Sequence, residues 1–395
     1  MMRNDIRVTV LVGIAHALSH FLQLIITPVI PLIKSEFDLS FAAIGALMTV
    51  TYAVSGLMQF PAGMAVDRLG GRAVLVFGLT AMGLGTLLIG LAPSYAWLVV
   101  ASAVIGIGNS TFHPADMALL NAKVTPSRLG YAFSMHSIAG STGWILAPMF
   151  AASIAELFGW RIAMAAGALV VLVFVMYLAT QQSLAHEDSP APVSGGARPA
   201  SQPLAEILLA PAVLICFVFF FFTSIAYSSF TSFGPAAFIA LYEMPLVAAS
   251  GILTTFFVGV TMGTLAGGAM AARTKAHGLV TAGGCGVAAF FALIIALGVL
   301  PAALVALCAA LVGVGLGSTA PSRDILVREA APANARGKVY GFVYSGLDVG
   351  AALAPVILGW FLDHQRPSWV FLSAAVLMVA CIPCAYQLKR RVRRD

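Results

Sequence analysis

The chain has 395 residues, of which 60% are hydrophobic and only 9% charged, with a net charge of +6. Soluble globular domains carry about 25% charged residues, so a water-dispersed enzyme and a nucleic-acid-binding domain are both excluded. Apolar runs of about 20 residues, the length that crosses a hydrocarbon core ~30 Å thick, recur along the whole chain and imply an all-α polytopic membrane protein surrounded by lipid bilayer.

In chain order, twelve spans are predicted at 8–33, 40–66, 73–92, 96–122, 130–157, 162–180, 207–240, 248–271, 279–299, 303–327, 338–362 and 369–388. The first run is too long for a signal-peptide core and has no clear cleavage site, so it reads as a span. The seventh is overlong, and its helix is expected to begin near Pro211. Most connections are short. The exception is 181–205, rich in Pro, Ser, Gly and Ala, which reads as a flexible linker between a first half, 1–180, and a second, 206–395. The five cysteines all fall in apolar runs and read as small packing residues, the C-x-x-C of Cys381 and Cys384 included.

Lys and Arg set the expected orientation. With both termini and the linker in the cytoplasm, seventeen of the 21 fall on that side. Lys34, Arg161 and Arg366 fall on the other, and Arg323 lies inside a span. This is the asymmetry of the positive-inside rule, and it makes the tail KRRVRRD a topology anchor.

A shift of 207 residues superimposes landmarks of one half on the other. Pro28 meets Pro235, Gly56 meets Gly263, Gly106 and Gly108 meet Gly313 and Gly315, Pro114 meets Pro321, and Gly143 and Pro148 meet Gly350 and Pro355. Two six-helix repeats in parallel orientation are the build of a rocking secondary transporter with its site near mid-membrane.

Several stretches carry a family resemblance. GMAVDRLGGR (Gly63 to Arg72) resembles the G-x-x-x-D-R-x-G-R-R signature of the major facilitator superfamily, with Gly71 departing from it. A decayed copy from Gly268 keeps Arg273 and has Ala272 in place of the acid. Its physical sense is a cytoplasmic gating clasp of Asp67, Arg68, Arg72 and Arg273, with Asp67 set on a helix N-terminus and the arginines on carboxylates. GWILAPMFAA (Gly143 to Ala152) resembles the span-five antiporter motif with alanines at three glycine positions; close helix packing explains its small residues equally well. AHALSHFLQLIITPVIPLI, GLAPSY and GNSTFHP resemble the fosmidomycin-resistance-like branch of drug efflux proteins. His20 stands near that branch's span-one acid, and Ala115 followed by Asp116 replaces its Glu after FHP. The resemblance implies a monomeric inner-membrane secondary transporter, with no cofactor and no enzymatic activity, that exports small organic molecules in exchange for protons. Uptake of a small organic anion, with Arg323 and the histidines as counter-charges, is the alternative; a metal-ion transporter or intramembrane metalloenzyme ranks below both.

Ionisable groups inside spans are costly and mark function by default. His16, His20, Gln23 and Thr27 share one face of span one. The i, i+4 histidines have the spacing of metal ligands, but no carboxylate or thiolate is close in sequence, so no metal site is expected. His16 and His113 are predicted roughly 12–14 Å from the cytoplasmic ends of their spans at 1.5 Å per residue, and His136 slightly shallower, so that the three fall in one polar layer. Pro114 breaks helix hydrogen bonding beside His113, which suits either a wet transport path or a kink packed inside the half. Tyr52, Tyr227 and Tyr344 are candidate cavity walls, with Trp144 a further aromatic one, and His16, His20, Gln23, Thr27, His113, His136 and Arg323 are the candidate polar lining. Asp116 and Arg323, matched by the 207-residue shift, are a candidate gate. Asp348, near the middle of span eleven, is the first candidate to carry the coupling proton, helped by His20, with Asp116 and His113 next.

Overall fold

The computed structural model describes residues 2–181, 184, 208–330 and 336–392. Most of the predicted linker lies outside these residues. Twelve helical segments are long and apolar enough to cross a membrane, one for each predicted span, and no strand occurs among the described residues. The helices pack into two compact units, Met1–Leu39 with Ala46–Ser194, and Ser40–Gly45 with Gly195–Asp395.

The first unit is built from α1 (Met2–Leu24), α2 (Ile30–Phe37), α3 (Phe41–Leu69), α4 (Gly71–Gly90), α5 (Tyr95–Asn109), α6 (Phe112–Lys123), α7 (Leu129–Phe158) and α8 (Trp160–Ala179), the first turn of α3 excepted. The second is built from α9 (Pro211–Thr231), α10 (Gly234–Tyr242), α11 (Leu246–Arg273), α12 (His277–Ala296), α13 (Ala302–Ala330), α14 (Arg336–Asp363) and α15 (Pro367–Val392).

Spans one and seven are each broken at the prolines the repeat aligns. Pro28 and Pro235 lack the N–H that would continue the helix. The chain restarts as α2 after a 3-10 turn at Thr27–Val29, and as α10 at Gly234. The matched glycines also have matched partners. A Cβ on Gly143 would strike the Ala17 carbonyl of α1, and one on Gly350 would lie 2.7 Å from Cβ of Ser224 on α9. Ala17 and Ser224 are themselves 207 residues apart, so the offset relates packing partners as well as single residues.

Span four behaves differently from span ten. Pro114 removes a donor where Gly108, Asn109, Ser110 and Thr111 already form a weak stretch of helix, and α5 ends there. The backbone tightens, with Thr111 N donating to Gly108 O at 3.2 Å. The hydroxyls of Ser110 and Thr111 fold back onto the Ile107 and Gly108 carbonyls at 2.7 and 2.9 Å. These side chains satisfy groups that lipid could not. In the second unit α13 runs unbroken through Pro321.

Polar groups gather at the two ends of the first unit. At one end Asp5 accepts from the Thr125 hydroxyl at 2.8 Å and lies 3.6 Å from Arg128, and Arg7 donates to Gln181. At the other, Arg161 binds Glu36 at 2.6 Å and the Gly90 and Ala92 carbonyls at 2.9 and 2.8 Å, while Trp160 donates to the same carboxylate.

Candidate functional site

The first unit carries a cluster of histidines around one carboxylate. Asp116, on the first turns of α6, is fully buried. Its Oδ2 hydrogen-bonds His136 Nε2 of α7 at 2.9 Å and lies 3.2 Å from His16 Nδ1 of α1. The second contact is close enough for charge interaction but off the angle of a hydrogen bond, so His16 Nδ1 and Asp116 Oδ1 are left without a hydrogen-bond partner among the described residues. The His16 and His136 rings stack with centroids 3.8 Å apart. His20 is 4.2 Å from His16 on one side and stacks flat on Trp144 at 4.0 Å on the other. Trp144 in turn donates to Gln23 at 3.2 Å. His113 is exposed, its ring 6.1 Å from that of His16.

Each element contributes for a reason visible in its sequence. The i, i+4 spacing sets both α1 histidines on one face. The break at Ser110–Thr111 starts α6 afresh, and Asp116 turns inward while His113 turns out. Gly140, one turn beyond His136 on α7, supplies the room. A Cβ there would lie 2.6 Å from His16 Cδ2 and Nε2 and 2.8 Å from His20 Nδ1.

The structure thus brings together His16, His20, Gln23, His113, Asp116 and His136. Thr27 is buried beyond them in the 3-10 turn, and Tyr52 is half-buried on α3. One contributor was not singled out from sequence, Gly140, whose signal was a glycine four residues after His136; Trp144 was read there only as an aromatic wall. The carboxylate missing beside His16 in sequence comes from Asp116, a hundred positions away.

The remaining candidates fall in the second unit. Arg323 lies over the Phe220 ring at 4.2 Å and binds Asp324 at 3.1 Å, so it is neutralised by its own neighbour in sequence. Tyr344 packs on Phe220, and Tyr340 donates to the Asp324 carbonyl at 3.0 Å. Tyr227 packs against Phe256 and Phe257. Asp116, with its histidines, and Arg323, with Asp324, each have polar partners within their own unit. Asp348 is exposed near the middle of α14, with no hydrogen bond or ion pair among the described residues.

The signature between spans two and three forms a tight turn. Gly70 adopts φ 83°, ψ 151°, a region open essentially to glycine alone. Asp67 and Arg68 are exposed, as is Arg273 at the corresponding turn. The expectation that Arg72 finds a carboxylate is corrected: its guanidinium binds the Ala179 carbonyl at the end of α8. The terminal carbonyls of a helix are unpaired and carry its negative dipole end, so a backbone terminus serves as the counter-charge.

Beside the cluster, a groove of about 770 Å³ opens between α1 and α7. Ile6, Val10, Ile14, Tyr131, Met135 and Ile138 line its apolar walls, with Asp5 and Arg128 at one end.

Comparison with known proteins agrees with this architecture. Over 380 residues the chain is 26% identical to the fosmidomycin resistance protein of Escherichia coli (strain K12), covering 93% of this chain and 89% of that one. In structure it is similar to a bacterial homologue of the human lysosomal transporter Spinster, with TM-score 0.80 and 16% identity over 97% of this chain and 96% of the other. The nucleoside transporter NupG superimposes with TM-score 0.77 and 16% identity, covering 96% of this chain and 99% of that one. The Major Facilitator Superfamily pattern matches residues 12–309 and 253–395. With twelve apolar helices in two six-span repeats and that match across its length, the chain belongs to the Major Facilitator Superfamily and is a multi-pass secondary transporter of small molecules, not an enzyme.

Proposed function

We propose that the protein exports small organic molecules from the cytoplasm across the inner membrane in exchange for protons. The groove between α1 and α7 carries this reading. Its volume suits a drug-sized molecule, and pockets with apolar walls and a few placed polar groups are the usual form of such sites. The acidic and basic side chains at its mouth, Asp5 and Arg128, lie at the end that the charge distribution assigns to the cytoplasm. The similarity over 93% of the chain to a protein named for fosmidomycin resistance supports export and makes that compound the first probe.

Asp348 is the proposed proton carrier. An exposed carboxylate halfway along a spanning helix would be costly in lipid. Its exposure therefore supports a place on the aqueous path, where each compartment can reach it in turn.

In everted vesicles with an acid interior, the protein should accumulate labelled fosmidomycin, and a protonophore should abolish the accumulation. Asp348→Asn should lose this gradient-driven uptake yet retain exchange of labelled for unlabelled compound. Accumulation by Asp348→Asn with unchanged pH dependence would remove Asp348 from the coupling path. Accumulation that ignores the pH gradient would remove proton coupling altogether.

A further inference from the structure

We propose that His16, Asp116 and His136 form a binding site for a divalent transition-metal ion of the zinc class, held inside the first unit by three different helices. The donor atoms converge: all three lie within 4.8 Å of one another. His136 Nε2 and His16 Nδ1 stand 2.9 and 3.2 Å from the same carboxylate oxygen. Zinc bonds nitrogen at about 2.0–2.1 Å and carboxylate oxygen at about 2.0–2.2 Å, which puts neighbouring ligands of a tetrahedral ion about 3.3 Å apart. The two histidine–carboxylate separations reach that value with shifts of a few tenths of an ångström, and the two histidine ligand atoms lie within 4.8 Å of each other.

The donors are also incompletely used. His16 Nδ1 and Asp116 Oδ1 are buried with no hydrogen-bond partner among the described residues, and His20 Nδ1 beside them is in the same state. Buried polar atoms are normally paired, so a group of such atoms around one carboxylate points to a ligand that binds there.

The second unit gives an internal control. It builds the same six spans, but the 207-residue shift replaces His16, Asp116 and His136 with Thr223, Arg323 and Val343. The half-fold therefore forms without the cluster, and packing alone does not call for two imidazoles on a carboxylate. The donor set selects the metal class. Two imidazoles with one carboxylate suit zinc, nickel or copper, whereas magnesium and calcium prefer oxygen alone. Three protein ligands leave a fourth position for water or another exchangeable group. His113, exposed and 6.1 Å from His16, marks the route by which an ion reaches the buried ligands.

The test uses tag-free protein purified in detergent and stripped with a chelator. Titration with zinc chloride should show one tight equivalent by calorimetry and a rise in thermal midpoint, with no response to magnesium. Cobalt(II) in the same site should give the intense visible absorption of four-coordinate geometry. His16→Gln and His136→Gln should each weaken zinc binding by more than about tenfold, the least that loss of even an outer-shell partner costs, and should abolish the thermal shift. His364→Gln, far along the chain at an exposed position, should change neither. Asp116→Asn serves as a third variant if it remains folded; the two histidine variants and the cobalt spectrum do not depend on it. Zinc binding that persists at wild-type affinity in both histidine variants, a weak six-coordinate cobalt spectrum, or no binding by the wild type would overturn the site.

Discussion

Gly140 shows how a residue with no chemistry of its own can decide whether a chemical site exists. Its α-carbon hydrogen faces the His16 and His20 rings at a distance where a methyl group would overlap both. Gly140→Ala must therefore push the imidazoles away or move α7 off α1. Overpacking of this kind costs about 1–3 kcal/mol, so a clear drop in thermal midpoint is expected in detergent. Gly130→Ala, on the same helix with nothing within 4 Å of the added atom, should leave the midpoint unchanged or raise it. Equal midpoints for the two variants would mean that the α1–α7 contact is looser than described. Asp116 makes the complementary point. Its charge could be read from sequence, but its partners could not, because His16 and His136 reach it only once three helices are packed.

At the scale of elements, small residues decide which helices meet. Along α11, Gly259, Gly263 and Gly267 repeat every four residues and lie on one face. Each has its missing side chain replaced by the backbone of α13, at Ala310, Val314 and Ser318. Gly313 and Gly317 of α13 return the contact against Phe256 and Val260. In a membrane, burial of apolar surface against apolar lipid gives little drive for helix association, and close backbone approach takes its place. Gly263→Ala should consequently lower the thermal midpoint of the protein. Gly268→Ala, on the same helix but with open space around it, should instead gain up to about 1 kcal/mol of helix propensity. Differential scanning fluorimetry of the pair separates the two effects, and a stabilised Gly263→Ala would refute the packing role. Proline by itself does not decide where a helix breaks. Pro28 and Pro235 interrupt their spans in both repeats, whereas Pro114 coincides with a break and Pro321 does not. Side-chain hydroxyls do not make the difference, because Ser318 and Thr319 of the unbroken α13 fold onto the Gly315 and Leu316 carbonyls just as Ser110 and Thr111 fold onto those of Ile107 and Gly108 in span four.

For the whole molecule, the positive-inside rule and the repeat together make an orientation testable. The end of the first unit that holds Arg7, Arg72 and Arg128 should face the cytoplasm, and the end that holds Glu36 and Arg161 should face outward. Ser127 and Ser94 are exposed in the turns at these two ends. Ser94→Cys should react with an impermeant thiol reagent in intact cells, and Ser127→Cys only after the membrane is opened. The reverse pattern would invert the topology and, with it, the proposed direction of export. Both termini are expected on the side of Ser127, because an even number of spans separates them.

The sequence by itself determined the class of molecule, the number of spans, the repeat and the family signature. All of these rest on composition, run length and spacing, which a linear chain carries directly. The breaks at Pro28 and Pro235 do not belong to that class: the spans read as continuous from sequence, and Pro61, Pro148, Pro321 and Pro355 lie inside unbroken helices. The shared layer of His16, His113 and His136 was partly legible, because depth along a helix follows from counting residues. What only the tertiary structure decided was which groups touch. Arg72 meets a helix terminus rather than a carboxylate, Arg323 sits on Phe220 beside Asp324, and Asp116 lies between two histidines from other helices. Spacing along the chain gives the height of a side chain in the membrane. Its rotation toward one neighbour or another depends on how the helices pack, and here glycines such as Gly140 and Gly143, whose contacts lie far away in sequence, set that packing.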